Sequence, residues 1–181
     1  MENREAEIRE RLGIPPDVDR VIVFGESSHW DPNWLYTSEE YYQRYVRDNL
    51  HMALAELQQE PRRIYSLESV FFLQMYWERE PHRREAVRRL VNEGRLRLTS
   101  TGVTTADTLL PRAEAILRDL LLGQAWLWDN GMTQEPRLAY FTDSFGCSPA
   151  LPSLLPSTTT QTGVHCARAE RTVATTCGPG L

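Results

Sequence analysis

The chain has 181 residues, 41% of them apolar and 25% charged, and its 20 basic against 25 acidic side chains leave a formal charge of −5. That is the composition of an ordinary globular domain, and a mildly acidic chain with no basic arm gives no electrostatic reason to expect a nucleic-acid partner. No apolar run approaches the roughly 20 residues that cross a bilayer, and three cysteines without a C-x-x-C pair exclude a disulfide scaffold or a cysteine zinc finger.

The polar start Met1-Glu2-Asn3-Arg4-Glu5 holds no secretory core, so a cytoplasmic location is the expectation. All 20 basic residues are arginine. No lysine is therefore present to act as base, Schiff-base former or P-loop cation. Residues 2–12 read as a surface helix. Arg20-Val21-Ile22-Val23-Phe24-Gly25 reads as a short buried strand. Ser38 before Glu39-Glu40 reads as a helix N-cap with acids in the first turn. Tyr42, Tyr45, Val46, Leu50, Ala53, Leu54 and Leu57 then follow at helical spacing until Pro61 stops the helix.

Arg63-Ile64-Tyr65-Ser66-Leu67 is a second strand, and an aromatic helix with Phe71, Phe72, Tyr76 and Trp77 follows it. Pro81 opens another helix, with Ala86, Val87, Leu90 and Val91 on one face and Gly94 at its C′ position. The pairs Glu80/Arg84 and Glu85/Arg89 stand four apart, so the arginine clusters there read as solvated helix surface. Leu96-Arg97-Leu98-Thr99 is a third strand. Pro111 to Trp128 is a long helix with Ile116, Leu117, Leu120, Leu121, Trp126 and Leu127 inward, and Gly131 ends its neighbourhood. Leu138-Ala139-Tyr140-Phe141-Thr142 is a fourth strand, and a last helix runs from Pro149 to Leu155. Strands alternating with helices imply an α/β fold with a parallel sheet, either open and doubly wound or part of a barrel. Residues 156–181 differ. Seven threonines fall there, against eight in all the residues before, and no helical or strand period is visible. The segment reads as a disordered natural tail or as the product of a frame change or truncation after Leu155.

Chemistry in such folds gathers at the carboxyl ends of the strands. There the sequence places His29-Trp30-Asp31 after the first strand, Glu68 after the second, Thr101, Gly102 and Asp107 after the third, and Asp143-Ser144-Phe145-Gly146 after the fourth. Imidazole and carboxylate both ligate Zn²⁺, and an H-x-D spacing in extended chain points both side chains one way. Asp143 is placed to bring a third ligand. Each residue alone reads more readily as a structural His or a turn Asp; their sharing one end of the sheet weakens that reading. Trp34 is either core or a stacking platform for a sugar, whereas Trp77, Trp126 and Trp128 read as packing. Walker, G-x-S-x-G and G-x-G-x-x-G motifs are absent, and Cys147 has no evident His partner to make it a nucleophile.

At these residues the chain resembles the N-terminal catalytic domain of the glycoside hydrolase family 38 α-mannosidases. The matching pieces are His29-Trp30-Asp31-Pro32-Asn33-Trp34, Glu68-Ser69-Val70-Phe71-Phe72 with Trp77, Gly94-Arg95-Leu96, Asp107 to Pro111, Leu121-Leu122-Gly123-Gln124, and Asp143-Ser144-Phe145-Gly146-Cys147-Ser148-Pro149. The resemblance implies that His29, Asp31 and Asp143 ligate zinc, that Asp143 is also the catalytic nucleophile, and that Trp34 and Phe145 contact the sugar. It implies retaining hydrolysis of α-mannosides through a covalent glycosyl-enzyme. Ser27 and Cys147 stand where the family commonly has histidines.

The same resemblance implies a seven-stranded parallel β/α barrel of which about four strands are present. Residues 1–19 are then a helical lead-in, 20–155 a partial catalytic domain and 156–181 a non-family tail. The family's fourth zinc ligand and its general acid lie beyond the nucleophile motif. The expectation is an incomplete, inactive catalytic domain, prone to aggregate through open strand edges, whose partner is a carbohydrate and neither a nucleic acid nor a membrane; its oligomeric state is not legible. A polysaccharide deacetylase-like metal hydrolase using a metal-bound water, and an inactive remnant with at most carbohydrate binding, are the alternatives.

Overall fold

The computed structural model describes residues 2–21, 25–134, 139–155, 164–168 and 171–175. Helix α1, Glu2–Leu12, is exposed along most of its described length, as its polar sequence requires. Strand β1, Glu26–Ser28, begins just past the expected Arg20–Gly25 run, of which Ile22 to Phe24 lie outside the described residues. Helix α2, Ser38–Tyr41, continues through a π turn at Tyr42–Val46 into α3, Arg47–Gln59. Its cap is Thr37, one residue before the expected Ser38. The Thr37 hydroxyl accepts from the Glu40 amide while the Glu40 carboxylate accepts from the Thr37 amide, a reciprocal capping box. Tyr42, Val46, Leu50, Ala53, Leu54 and Leu57 are buried as the spacing predicts, but Tyr41 takes the place expected of Tyr45. A π turn adds a residue to one turn and so rotates the apolar stripe.

Strand β2, Tyr65–Leu67, leads into α4, Phe71–Arg79. A single 3₁₀ turn at Pro81–Arg83 precedes α5, Arg84–Asn92. Val87, Leu90 and Val91 form the buried face of α5 at the i, i+3, i+4 spacing of an amphipathic helix. The helix ends where the sequence says. Gly94 sits at φ 69°, its amide donates to the Val91 carbonyl, and the Arg95 amide donates to the Leu90 carbonyl. That is a Schellman motif, which needs a left-handed residue and so favours glycine. The charge pairing differs from expectation. Arg88 pairs with Glu85 and Arg89 with Glu93, while Arg84 turns inward to donate to the Trp77 carbonyl.

Strand β3, Leu96–Leu98, completes a parallel sheet in the order β1-β2-β3. Leu96 and Leu98 point into the core and Arg97 to solvent. Long helix α6, Ala113–Asp129, buries Ile116, Leu120, Gly123, Gln124 and Leu127. Leu121 and Trp128, expected inward, are exposed. The reason is Gly123: a Cβ there would overlap the Thr101 carbonyl, so α6 presses its glycine face on the 101–102 loop and turns Leu121 out. Gly131, at φ 73°, closes α6 with a second Schellman pattern, the Met132 amide donating to the Leu127 carbonyl.

Strand β4, Ala139–Thr142, and a short helix α7, Leu151–Leu154, fall near the expected positions. The pairing of β4 does not. It lies parallel to β5, Val164–Arg168, which pairs antiparallel with β6, Arg171–Thr175, in a second three-stranded sheet. Among the described residues the four anticipated strands are thus divided between two sheets. On β3, the Leu98 amide and carbonyl are met by the Gln134 side chain. Strands β5 and β6 lie in the segment read as a tail. Ladder bonds between backbones need no hydrophobic period, which is why the sequence showed no sign of them. The rest of 156–181 lies outside the described residues.

A core cluster joins α2 to α5, the faces of β2 and β3, Leu127 and Met132. A much smaller one holds Ile116, Leu120, Phe141, Leu151 and Leu155. Among the described residues no helix is long and apolar enough to cross a membrane.

Candidate active site

The register of the first sheet builds one side of the site. Ser28 is level with Leu67, and Leu67 with Leu98. The next residues, His29 and Glu68, therefore leave adjacent strands side by side. His29 Nδ1 lies 2.7 Å from Glu68 Oε2. Glu68 is buried, 7% exposed, between Leu67 and the Val70-to-Phe72 start of α4. Its hydrogen bond holds the His29 imidazole pKa above its ordinary value of 6.5. Burial opposes that rise, and the Glu68, Asp31 and Asp143 charges add to it.

The other ring nitrogen faces two more carboxylates. His29 Nε2 is 3.7 Å from Asp31 Oδ1 and 3.9 Å from Asp143 Oδ2. Ligand atoms of His29, Asp31 and Asp143 all lie within 4.8 Å of one another. The three residues singled out in the sequence are thus brought together, two from the end of β1 and one from the end of β4. Metal–ligand bonds of about 2.0–2.2 Å at tetrahedral angles separate donors by roughly 3.3–3.6 Å. One nitrogen and two carboxylate oxygens are a donor set that suits a divalent metal such as zinc, and the two histidine–carboxylate separations exceed the bound spacing by only a few tenths of an ångström, with all three donors within 4.8 Å.

Asp143 stands out in a second way. Among the described residues it is the one non-glycine with positive φ, at 51°. Aspartate tolerates the left-handed region better than most residues, yet at a cost. Such strain gathers where a side chain must be aimed. The loop after it is tied down. Ser144 Oγ donates to the Gly146 carbonyl at 2.9 Å, Thr108 Oγ1 donates to the same carbonyl at 3.1 Å, and the Ser148 amide donates to Thr108 Oγ1. Gly146, at φ 138°, leaves no room for a Cβ against Leu109. This bracing holds Phe145 out in solvent, 82% exposed. Trp34 is 73% exposed, so it is not core. Its exposure in the loop after Asp31 keeps the stacking alternative. Trp30 instead packs edge-on against Phe72.

Cys147 is disulfide-bonded and offers no thiolate. Asp107 caps its own turn, accepting from the Leu109 amide, and is not in the cluster. Glu68 was noted in the sequence as an acid after a strand and as the first residue of a family-like segment, with no role given to it. Its partnership with His29 depends on strand register, for which the sequence carries no direct signal.

Comparison with known proteins gives the class. The family model described as the glycosyl hydrolases family 38 N-terminal domain matches residues 20–169. The chain belongs to this family and forms an α-mannosidase-like glycoside hydrolase domain. It is 33% identical over 138 residues to "Alpha-mannosidase 2x" of Mus musculus, covering 76% of this chain and 12% of that one. It is 32% identical over 139 residues to "Lysosomal alpha-mannosidase" of Cavia porcellus, covering 70% of this chain and 14% of the relative. The chain thus spans about an eighth of the mouse relative's length. Among solved structures, an α-mannosidase from Enterococcus faecalis V583 aligns with a TM-score of 0.66 at 24% identity, over 77% of this chain and 16% of that one. A 4-α-glucanotransferase from Thermococcus litoralis aligns at 0.58 and 15% identity, over 85% and 27%. Both show likeness of fold alone. The deacetylase-like alternative finds no support in these matches.

Proposed function

We propose that this domain carries the nucleophile and metal side of a retaining α-mannosidase. The observation that carries the reading is the convergence of Asp143, His29 and Asp31 at the strand ends, with Asp143 in a strained backbone conformation. Asp143 is the group that attacks the anomeric carbon. His29, Asp31 and Asp143 hold a zinc ion, which when bound supplies Lewis-acid neutralisation of charge and a template for sugar hydroxyls. Trp34 and Phe145 offer flat apolar faces to the C–H side of the sugar ring. A retaining glycosidase also needs a carboxylic acid about 5–5.5 Å from the nucleophile to protonate the leaving oxygen. Asp31 belongs to the metal cluster and Glu68 is engaged by His29, so neither is free for that task. The acid and a fourth metal ligand are assigned to a portion of the family catalytic domain outside the matched 20–169. The 181-residue chain then hydrolyses ordinary mannosides poorly or not at all. Residues 1–19 are taken as a lead-in to the domain.

The test exploits the missing acid. Fluoride leaves without protonation, so a fluorosugar mannosyl fluoride needs the nucleophile but not the acid. Incubation with the zinc-loaded chain is expected to add one fluoromannosyl group to the peptide containing Asp143, read by mass spectrometry. Labelling at another residue, or unchanged labelling in Asp143→Ala, refutes the assignment.

A further inference from the structure

Glu68 is a buried carboxylate that no part of the proposed reaction uses. Its Oε2 faces His29 Nδ1 at 2.7 Å, while His29 Nε2 faces the Asp31 and Asp143 carboxylates. It is held firmly. It follows the buried Leu67 of the central strand, and the cavity beside it, lined by Ser28, Trp30, Leu67, Ser69 and Phe72, is only about 10 Å³. That leaves room for one water at most. Burying an acid on a partly exposed histidine is poor value for folding, because the desolvation of a buried ion pair commonly offsets its attraction and an apolar residue does as well. The consequence of the bond lies in what it does to the ring.

We propose that Glu68 is a positioning residue that fixes the tautomer and orientation of His29. Neutral imidazole carries its proton on either nitrogen, and the hydrogen bond at one nitrogen decides the state of the other. With Nδ1–H donating to Glu68, the Nε2 lone pair is presented to the space shared with Asp31 and Asp143, where a metal needs it. A carboxylate in this place also raises the basicity of the ligating nitrogen. The inference rests on the metal-site reading above, but its first consequence, the tautomer, exists without metal.

The test uses the full chain labelled with ¹⁵N at alkaline pH, where the imidazole is neutral. Long-range ¹H–¹⁵N correlation reads the proton's position on His29, assigned by its disappearance in His29→Gln. The expected result is the Nδ1–H tautomer, opposite to the preference of a free histidine. In Glu68→Leu the Nε2–H form should take over, and zinc affinity, measured by competition with a chromogenic chelator, should fall by about 10- to 100-fold. Glu68→Gln keeps an acceptor oxygen and should restore the tautomer and most of the affinity. A His29 protonated on Nε2 in the unmodified chain overturns the proposal, as does unchanged tautomer and zinc affinity in Glu68→Leu. If that variant fails to fold, the unmodified chain and Glu68→Gln decide by the same readings. An unmodified chain with the Nδ1–H tautomer that binds no zinc supports the role of Glu68 and refutes the metal-site reading instead.

Discussion

The two sides of the site are built to different standards. His29, Asp31 and Glu68 leave a sheet whose three strands share one register and back onto the large cluster around Leu54, Tyr76 and Leu90. Asp143 leaves β4, whose described ladder partner is β5 and whose core is the small cluster around Leu120 and Phe141. The histidine side is held by packing and register. The Asp143 side is held by a strained residue and a loop braced through Thr108 and Gly146. One half can be rigid from the start, and the other depends on local bonds to keep its aim.

The largest expected effect tests this difference directly. Leu90→Ala, at a fully buried position of the large cluster, should cost about 2–5 kcal/mol in urea unfolding, from lost transfer energy and the cavity left behind. Leu120→Ala, in the small cluster, should fall at the low end of that range because its surroundings can collapse. Equal costs would break the comparison. Native-state hydrogen exchange should likewise show slower amides in α3 and α5 than in the loop 144–148; the reverse order would sink it.

Asp143→Gly should raise stability by up to about 1 kcal/mol, since glycine occupies φ 51° without the Cβ penalty. The same change should abolish fluorosugar labelling. A destabilised Gly variant would show that the Asp143 side chain supports the fold as well as the chemistry. Thr37→Ala should remove one half of the capping box and cost about 1 kcal/mol in thermal unfolding.

The smallest expected effect is a pH dependence with two opposite signs. His29 titrates above its ordinary 6.5 because of Glu68. Without metal, that raised value contributes stability that is fully present below the unfolded-state pKa and lost as pH rises through the folded-state pKa. With metal the sign reverses, because the ligand must lose its proton: zinc affinity should weaken as pH falls through the same raised value. Apo unfolding and zinc titration at several pH values should move oppositely; parallel movement would remove His29 from the metal's ligands.

The aggregation expected of the chain has structural counterparts. Leu110, Leu122, Trp34, Trp128 and Phe145 are all exposed. Size-exclusion elution at rising concentration should show self-association, and a concentration-independent monomer would refute it.

Much was written in local sequence. Gly94 and Gly131 end their helices because a left-handed residue is needed there, and Leu96-Arg97-Leu98 alternates because a strand has period two. His29, Asp31 and Asp143 were legible because each follows a readable strand. Leu121 and Trp128 were misplaced because the buried face of α6 is chosen by the contact of Gly123 with the 101–102 loop, which periodicity does not see. What the sequence alone determined was the order of elements, their caps and the residues waiting at the strand ends, since each depends on a few neighbours along the chain. What only tertiary structure decided was which strands pair and in what register. Those choices belong to backbone bonds between distant segments, and they brought Glu68 to His29 and set β4 beside β5.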